Sequence, residues 1–343
     1  MKESARRVML VGNGEFFQIG AFFQKALETM GYEYQFVDEA NYFKTAGSSL
    51  FHRGFSRVIR MVASWTFNRA LRIAASSFQP QVVLVVKGSY VRPAVLAEIK
   101  THCRAVLVNY ATDNPFNSAN SARNIVAAIP LYDLYVSTKR AIIPDLRFAG
   151  ARQVAWIPFG YDPTLHFPES PRDTEEANRW RSDVVFVGGY DQDRLPYFAA
   201  LCRLSDLKLR LHGSYWDHCP ELVQFWQGLA LGREYRLALG GCKIAPCLVR
   251  RANRDGNAMR TFEIPACKAF MLAERTEEHL DLFEEGKEMA CFSSAEEMID
   301  KIRYYLVHDD ERRQVAEAGY QKVTTGRHTY QDRLIEILRA VDL

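Results

Sequence analysis

The stretch Val82-Val83-Leu84-Val85-Val86 is the clearest indication of the fold class, because it is apolar on both faces of the strand that it predicts. A strand of that kind lies in the centre of a parallel sheet that helices cover on both sides. Helical patterns flank it, at Arg57–Ser76 before it and at Pro93–Thr101 after it. The same alternation of strand and helix continues in both directions along the chain. It predicts an α/β protein with a doubly wound sheet.

Outward from this stretch, short apolar runs and helical patterns alternate through the rest of the first half. Strands are predicted at Val8–Val11, Tyr34–Val37, Val106–Asn109, Leu134–Val136 and Val154–Ile157. Helices are predicted at Phe16–Met30, Ser121–Ala128 and Arg140–Phe148.

The pattern breaks between Phe159 and Ser182, where turn-forming and charged residues show no apolar period, and it restarts at Asp183–Gly189. Further strands are predicted at Leu209–Gly213, Lys243–Pro246, Phe270–Leu272 and Met289–Phe292. We therefore expect two Rossmann-like domains, residues 1–162 and 183–328, joined by a linker at 163–182. A last helix at 329–343 could pack back on the first domain. Its apolar residues recur at helical spacing and predict core packing: Leu334, Ile337, Leu338 and Val341.

The composition is that of an ordinary globular protein, with 48% hydrophobic and 25% charged residues among 343. A net charge of +3 does not by itself indicate nucleic-acid binding. No run approaches the roughly 20 apolar residues that span a bilayer, and the short apolar run near the N-terminus does not fit a signal peptide. Seven cysteines without CxxC spacing indicate neither a disulfide framework nor a zinc site. These features favour a cytoplasmic protein.

Basic residues concentrate in two segments, Arg250–Arg254 and Arg53–Arg72. Both could serve phosphate groups or an anionic membrane surface, although the second is also compatible with a solvated helix face. The overlapping segment Phe51–Phe67 combines aromatic and basic residues and could cover a hydrophobic or lipid-linked acceptor. A peripheral membrane contact is therefore one expectation from the sequence.

Two carboxylates, Asp255 and Glu263, lie eight positions apart and precede a buried-looking run, Ala269–Leu272. A carboxylate at the start of a helix beside a strand end can accept hydrogen bonds from sugar hydroxyls. Helix amides and arginines nearby can hold a diphosphate. The combination suggests a nucleotide-sugar site, although such a spacing also occurs by chance.

Several motifs of the second half, taken in order, resemble a known family. They are Arg260–Cys267, Phe270–Leu272, Leu282–Glu288, Phe292–Ser294, Ala316–Gly319 and His328–Arg333. Residues 183–341 look like the donor domain of GT-B glycosyltransferases, in particular the spore-maturation CgeB-like branch. The first 160 residues resemble that family only in their general β/α pattern.

The resemblance implies a hexosyltransferase-like enzyme with the GT-B fold. The second domain would hold a nucleotide-sugar co-substrate, the first a hydroxyl acceptor, and transfer would occur in the cleft between them. GT-B enzymes generally need no catalytic metal and no further cofactor, since protein cations and helix termini stabilise the leaving diphosphate. Related retaining enzymes carry a Glu-x7-Glu motif, whose first acid contacts the sugar and whose second contacts the ribose.

This motif aligns Asp255 with the first acid and Glu263 with the second. The sequence departs from the family pattern at two positions, and these departures bear on which donor is bound and on whether transfer is retaining. An Asp replaces the first Glu, which shortens its reach, and Lys268 stands where these enzymes usually have glycine. Lys268 could meet a phosphate or simply crowd the helix. For Asp255 and Glu263 the plainer interpretations are a loop residue and an acid favoured by the helix dipole.

Two cations are candidates for stabilising the diphosphate during transfer, Arg260 and Lys243. A structural salt bridge is the alternative role of Arg260. Gly188 and Gly189 end the first strand of the second domain and would let the backbone approach phosphate oxygens, with Arg194 adding charge. The other expected donor-binding residues are His212, for which a core or surface role is the likelier one, Thr261 and Phe262.

In the first domain, Gly12-Asn13-Gly14-Glu15 follows the first strand and resembles a phosphate-cradling turn without a full GxGxxG. We expect it to line the acceptor side, although a plain βα turn fits equally well. Asp113 follows the fourth strand, at the sheet edge where open α/β sheets bind ligands. It could orient or deprotonate the acceptor hydroxyl, or form an Asx turn before a proline.

The sequence therefore favours a metal-independent, retaining glycosyltransferase. A nucleotide-sugar epimerase and a homologue that binds its nucleotide sugar without catalysis are the alternatives from the same fold. A solute-binding protein is the alternative from another class.

Overall fold

The computed structural model describes residues 6–43, 55–117, 123–204 and 206–342, with the side chains of 55–57 left out. The start of the predicted helix Ser121–Ala128 lies outside the described residues, as do residues 51–54 of the basic and aromatic segments Arg53–Arg72 and Phe51–Phe67.

The first sheet has six parallel strands in the order β2-β1-β3-β4-β5-β6. Its strands are β1 (Arg7–Gly12), β2 (Glu33–Asp38), β3 (Val82–Val86), β4 (Val106–Ala111), β5 (Leu134–Ser137) and β6 (Val154–Trp156). The central strand β3 is buried along its whole length and pairs Leu84 with Leu10 on one side and with Val108 on the other. Its burial explains why it is apolar at every position.

Helices connect the strands of this sheet. They are α1 (Ile19–Thr29), α2 (Ala40–Phe43), α3 (Phe55–Phe78), α4 (Pro93–Cys103), α5 (Arg123–Ala128) and α6 (Ile143–Phe148). The C-terminal helix α14 (Tyr330–Arg339) belongs to the same compact unit, which comprises the described residues up to Pro158 and from Tyr330 onward. The Tyr330 ring stacks on Phe22 of α1 at 5.0 Å and meets Phe23 edge-on at 5.7 Å. As its spacing predicts, the α14 stripe is core, with Leu334, Ile337 and Leu338 buried.

The second compact unit runs from Phe159 to Thr329 and contains a five-stranded parallel sheet in the order β11-β10-β9-β7-β8. Its strands are β7 (Ser182–Val187), β8 (Leu209–His212), β9 (Cys242–Cys247), β10 (Met271–Glu274) and β11 (Ala290–Phe292). Its helices are α7 (Thr174–Trp180), α8 (Leu195–Leu201), α9 (Arg233–Gly240), α10 (Arg260–Ala266), α11 (Glu277–Leu282), α12 (Ala295–Val307) and α13 (Asp309–Thr325). The expectation of two doubly wound α/β domains is confirmed.

The segment 163–182, predicted to be a linker, contains the helix α7 and the first residue of β7. This helix is seven residues long, too short to show an apolar period. Capping defines it instead, because Asp173 accepts a hydrogen bond from the Glu176 amide at 2.8 Å and Glu176 accepts one from the Arg172 amide at 2.6 Å. No helix in the described part of the chain is both long and apolar enough to cross a membrane.

Candidate functional site

The candidate site of the second unit lies where β7 and β8 end, at one edge of the parallel sheet. Three successive carbonyls, from the last residue of β7 onward, are each held by a side chain. Val187 accepts from Arg260 Nε at 2.7 Å, Gly188 from Trp216 Nε1 at 2.9 Å, and Gly189 from Arg194 Nη1 at 2.7 Å. Because each of these carbonyls accepts a hydrogen bond from a side chain, the conformation of the turn Gly188-Gly189 is stabilised by the protein itself.

Two glycines allow this turn to form. Gly213, after β8, has φ +130°, and a Cβ there would lie 2.2 Å from the Gly188 oxygen. At Gly188 a Cβ would lie 2.8 Å from the Phe186 ring, whereas at Gly189 it would meet only the Ser214 oxygen at 3.4 Å. Gly188 and Gly213 are therefore needed for the close approach of the two strand ends, and Gly189 faces more open space.

Three arginines converge on the turn. Arg194 lies over the Phe186 ring at 5.1 Å, and its Nε is buried without a hydrogen-bond partner among the described residues. Burial lowers the pKa of Arg194, and the positive charges of Arg250 and Arg260 lower it further, against the raising effect of Asp191. Arg250 itself donates to Asp191 at 3.1 Å. Such a concentration of guanidinium groups suits a diphosphate, whose oxygens accept in pairs.

Arg260 is held in position by an ion pair with Glu263, a buried residue that is 2% exposed. Tyr235 donates to the Glu263 carboxylate at 2.9 Å, and His166 Nε2 lies 3.5 Å from it. Burial alone would raise the pKa of Glu263, but the charge of Arg260 holds it below its usual value. Burial likewise opposes the charge of Arg260, but Glu263 keeps its pKa raised. The structure thus places Glu263 beneath the site, and direct contact with a ribose would require this network to open.

Asp255 lies half-buried in the loop between β9 and α10 and accepts a hydrogen bond from Asn253 at 2.8 Å. The loop is tied to α11 and its N-cap, because Thr276 donates to the Gly256 carbonyl at 2.6 Å and Asn257 donates to Glu278. Its conformation is therefore set by the neighbouring helix, which holds Asp255 in place.

Thr261 and Phe262 were expected to bind the donor, and the side chains of both are fully buried. Thr261 Oγ1 accepts from the Ala258 amide at 2.9 Å and lies 2.8 Å from His279 Nε2. Phe262 stacks on His328 at 5.4 Å. They shape the start of α10 from inside the core.

Lys243 is not brought together with the arginines. It lies in the second position of β9, and all strands of the sheet run parallel, so it stands at the edge opposite to Gly188. Strand geometry separates the two edges by roughly 15 Å. Its ammonium group pairs instead with Asp183 at 3.0 Å. The sequence suggested Lys243 because it is a cation beside an apolar run, but the start of a parallel strand lies opposite to the carboxyl ends, where the arginines are.

His212 is a core residue, the interpretation that the sequence favoured. It is 2% exposed, it stacks on Trp180 at 5.7 Å, and burial lowers its pKa to about 4, which keeps it neutral at pH 7. Lys268 follows α10 with φ +60°, a conformation that suits the glycine usual there. Its charge is directed away from the site, to Glu317 at 2.6 Å.

In the first unit, the loop Gly12–Glu15 is organised by Asp38 at the end of β2. Asp38 Oδ1 accepts from the amides of Gly14 and Ala40, both at 2.8 Å. Asn13 Oδ1 accepts a hydrogen bond from the Glu15 amide at 2.8 Å. A Cβ at Gly20 would lie 2.3 Å from the backbone carbonyl oxygen of Asn13. The loop therefore forms a tight βα turn that packs against the start of α1.

Asp113 follows β4 and pairs with Lys87, which follows β3, at 2.7 Å. Glu39, which follows β2, is 9% exposed, and its Oε1 has no hydrogen-bond partner within the described part of the chain. Burial raises the pKa of Glu39 to about 7, against the lowering effect of Lys87, and Asp38 raises it further. Neither Glu39 nor Lys87 was predicted as a site residue. Lys87 directly follows the predicted strand Val82–Val86 and Glu39 lies two residues after Tyr34–Val37, and these positions were the signal that could have found them.

Among the described residues, no group of three or more His, Cys, Asp and Glu side chains is arranged to hold a metal ion. Metal independence stays a prediction.

The chain is similar to glycosyltransferases in part of its sequence and in its fold. Residues 194–339 match the family model described as glycosyl transferase-like. No curated protein is similar to the chain in sequence. Among solved structures, sucrose-phosphate synthase from Thermosynechococcus elongatus superposes with a TM-score of 0.68 at 11% identity, covering 98% of this chain and 99% of that one.

Two further structures illustrate the range of the likeness. Anabaena HepE in complex with UDP-glucose has a TM-score of 0.68 at 11% identity, covering 97% of this chain and 99% of its own. A putative UDP-N-acetylglucosamine 2-epimerase from Listeria monocytogenes has a TM-score of 0.58 at 12% identity, covering 97% and 95%. The comparisons do not name the CgeB-like branch. The two parallel sheets, their helices and these superpositions together show that the chain has the GT-B fold of glycosyltransferases.

Proposed function

We propose that this protein transfers a sugar, most simply a hexose, from a nucleotide-sugar donor to a hydroxyl acceptor. The observation that carries the proposal is the convergence of Arg194, Arg250 and Arg260 on the fixed Gly188-Gly189 turn. All three arginines lie within the part of the chain that matches the glycosyl transferase-like family.

The arginines would act on the leaving group. As the bond between the sugar and the diphosphate breaks, negative charge develops on the phosphate oxygens, and fixed cations stabilise that charge without reorganising. Arg260 is well suited to this task because Val187 and Glu263 already fix its orientation. With this cationic charge in place, we propose that transfer needs no catalytic metal and no further cofactor.

The remaining roles follow from the resemblance and from position. We propose that Asp255 binds a hydroxyl of the donor sugar and that transfer retains the anomeric configuration. The acceptor oxygen would then bond to the sugar carbon on the face that the diphosphate leaves, and its proton would pass to a leaving phosphate oxygen. Asp113, paired with Lys87, is the proposed group that orients the acceptor hydroxyl. HepE was solved with UDP-glucose and with UDP, so uridine nucleotides are the first donors to test.

Thermal shift with nucleotides tests the donor site directly. Wild type, Arg194→Gln and Arg260→Gln would be screened against UDP, UDP-glucose, GDP and ADP. Arg313→Gln is the matched control, because its side chain is 73% exposed on α13, outside the arginine cluster. A nucleotide at about one hundred times its Kd should stabilise wild type and the control by roughly 2.7 kcal/mol. The two site variants should bind at least about tenfold more weakly, since each loses a charge-assisted contact.

Turnover then separates the candidate functions. Release of UDP that depends on an added hydroxyl acceptor supports transfer. Conversion of the donor to its epimer without any acceptor would support an epimerase, and tight binding without turnover a non-catalytic homologue. Failure of every nucleotide to stabilise wild type would overturn the proposal.

A further inference from the structure

The helix α3 (Phe55–Phe78) has an unusual charge. Its 24 residues contain four arginines, at positions 57, 60, 69 and 72, and no aspartate or glutamate. A helix on the surface of an ordinary globular protein mixes both signs of charge. The basic excess indicates a partner that carries negative charge.

The two halves of α3 differ in packing. Its second half enters the core of the first unit, where Phe67, Leu71, Ala74 and Ala75 are buried. Its first half does not, because residues 58–62 are all exposed and none of the residues 58–66 is buried. Packing within the described part of the chain therefore does not account for the apolar residues of the first half.

Those apolar residues form a stripe. Val58, Met61, Val62 and Trp65 recur at helical spacing and are 55%, 62%, 53% and 54% exposed. Ile59, 42% exposed, extends the stripe on one side. Apolar side chains scattered singly over a surface are normal, but a contiguous set on one helix marks an interaction site.

Arginine lies beside the stripe as well as along the helix. The Arg69 guanidinium is 5.6 Å from the Trp65 ring. Glu98 pairs with Arg72 in the second half of α3, two turns beyond Trp65. A tryptophan with neighbouring arginines fits the level of lipid headgroups, where the ring is half in hydrocarbon and the cations meet phosphate.

We propose that the first half of α3 docks on an anionic lipid surface, with Val58, Met61, Val62 and Trp65 inserted at the headgroup boundary and with Arg60 and Arg69 facing the phosphates. A bilayer fits better than a second copy of this chain. Two copies meeting through this stripe would bring two sets of arginines together, which repel, whereas an anionic bilayer attracts all of them. The proposal does not depend on the proposed enzymatic activity.

Vesicle flotation with the full chain tests the proposal. Vesicles of phosphatidylcholine would be compared with vesicles in which about one third of the lipid is phosphatidylserine. Wild type should bind the anionic vesicles at least about tenfold more tightly than the neutral ones, and the difference should shrink in high salt.

A double variant, Met61→Ser with Trp65→Ser, should lose this binding by at least about tenfold. Phe148→Ser is the matched control, because Phe148 is 96% exposed on α6, away from α3 in the sequence, and should leave binding unchanged. Both sets of side chains are exposed, so thermal stability should stay close to that of wild type. Nucleotide-induced stabilisation, measured in the same variants, reports the donor site separately.

Three results would overturn the proposal: no binding to anionic vesicles, equal binding by wild type and the double variant, or equal binding to both kinds of vesicle. Concentration-dependent dimerisation that the double variant abolishes, without vesicle binding, would assign the stripe to a second copy instead.

Discussion

The Glu263 carboxylate is held by three side chains, which makes it a structural position, whereas its contact with a ribose stays a prediction. Replacing it with alanine would remove the partner of Arg260 and one acceptor of Tyr235 inside the protein. Breaking a buried ion pair in this way should cost about 3 kcal/mol of unfolding free energy. Urea denaturation of Glu263→Ala measures that loss.

The matched control for Glu263→Ala is Tyr235→Phe, which removes one hydrogen bond and should cost about 1 kcal/mol. Equal stability of Glu263→Ala and wild type would contradict the buried network. Because stability and binding both depend on Glu263, loss of nucleotide binding in Glu263→Ala alone does not identify a ribose ligand. Arg194→Gln gives the cleaner test of the donor site, because Arg194 is not part of this buried ion pair.

Glu39 should make stability depend on pH. Burial raises its pKa from 4.5 to about 7 in the folded protein, so the folded state binds its proton more tightly than the unfolded state does. The contribution of Glu39 to stability is therefore fully present below about pH 4.5 and is lost as pH rises through about 7. Glu39→Gln, which is neutral at every pH, should be more stable than wild type at pH 8 by on the order of 3 kcal/mol and similar to it near pH 4.

Chemical denaturation of both proteins at several pH values checks this difference. Glu33→Gln provides the control, because Glu33 lies exposed at the start of β2, the strand that Glu39 follows. A pH-independent difference between Glu39→Gln and wild type would show that the Glu39 carboxyl is not desolvated as the structure indicates.

At the scale of elements, the ends of β7 and β8 depend on Gly213. Its φ of +130° and the 2.2 Å separation between a Cβ and the Gly188 oxygen leave no room for a side chain. Gly213→Ala should therefore cost about 3 kcal/mol or more, since both backbone strain and a backbone clash oppose it. Gly228→Ala is the comparison, because Gly228 also has positive φ, +81°, but its Cβ would meet open space.

Only the backbone conformation opposes Gly228→Ala, at a cost of about 1 kcal/mol. Thermal denaturation of the two variants beside wild type measures both values. Similar losses in the two would mean that the strand ends can move apart to admit a methyl group.

The same elements show what sequence can predict. Runs such as Val82–Val86 mark their strands because burial on both faces demands apolar residues at every position. The helix α7 was not predicted, because its seven residues are defined by capping and show no apolar period. Gly188 and Arg194 were proposed from their places at and after a strand end, and Arg260 from the family-like motif. Arg250 was noticed only as part of a basic segment. Lys243 was grouped with these cations although the start of a parallel strand lies at the edge opposite to Gly188.

At the scale of the whole molecule, the chain forms two compact units, and the first is completed by α14 from the far end of the sequence. Residues 159–329 contain a complete parallel sheet with its own core, whereas residues up to Pro158 lack the side chains that cover α1. These side chains are Tyr330, Leu334, Ile337 and Leu338, all buried.

We therefore expect residues 159–329 to fold alone, with a cooperative thermal transition, and residues 6–158 to fail. Burial of four large apolar side chains contributes about 8 kcal/mol, which is comparable to the whole stability of a domain.

The Tyr161 amide donates to the His328 carbonyl at 3.1 Å, so the chain leaves the first unit and returns to it at neighbouring points. A short Gly/Ser linker from Pro158 to Tyr330 should then restore folding of the first unit. Circular dichroism melting of the three fragments measures this, and a cooperative transition of residues 6–158 without α14 would show that the C-terminal helix is dispensable.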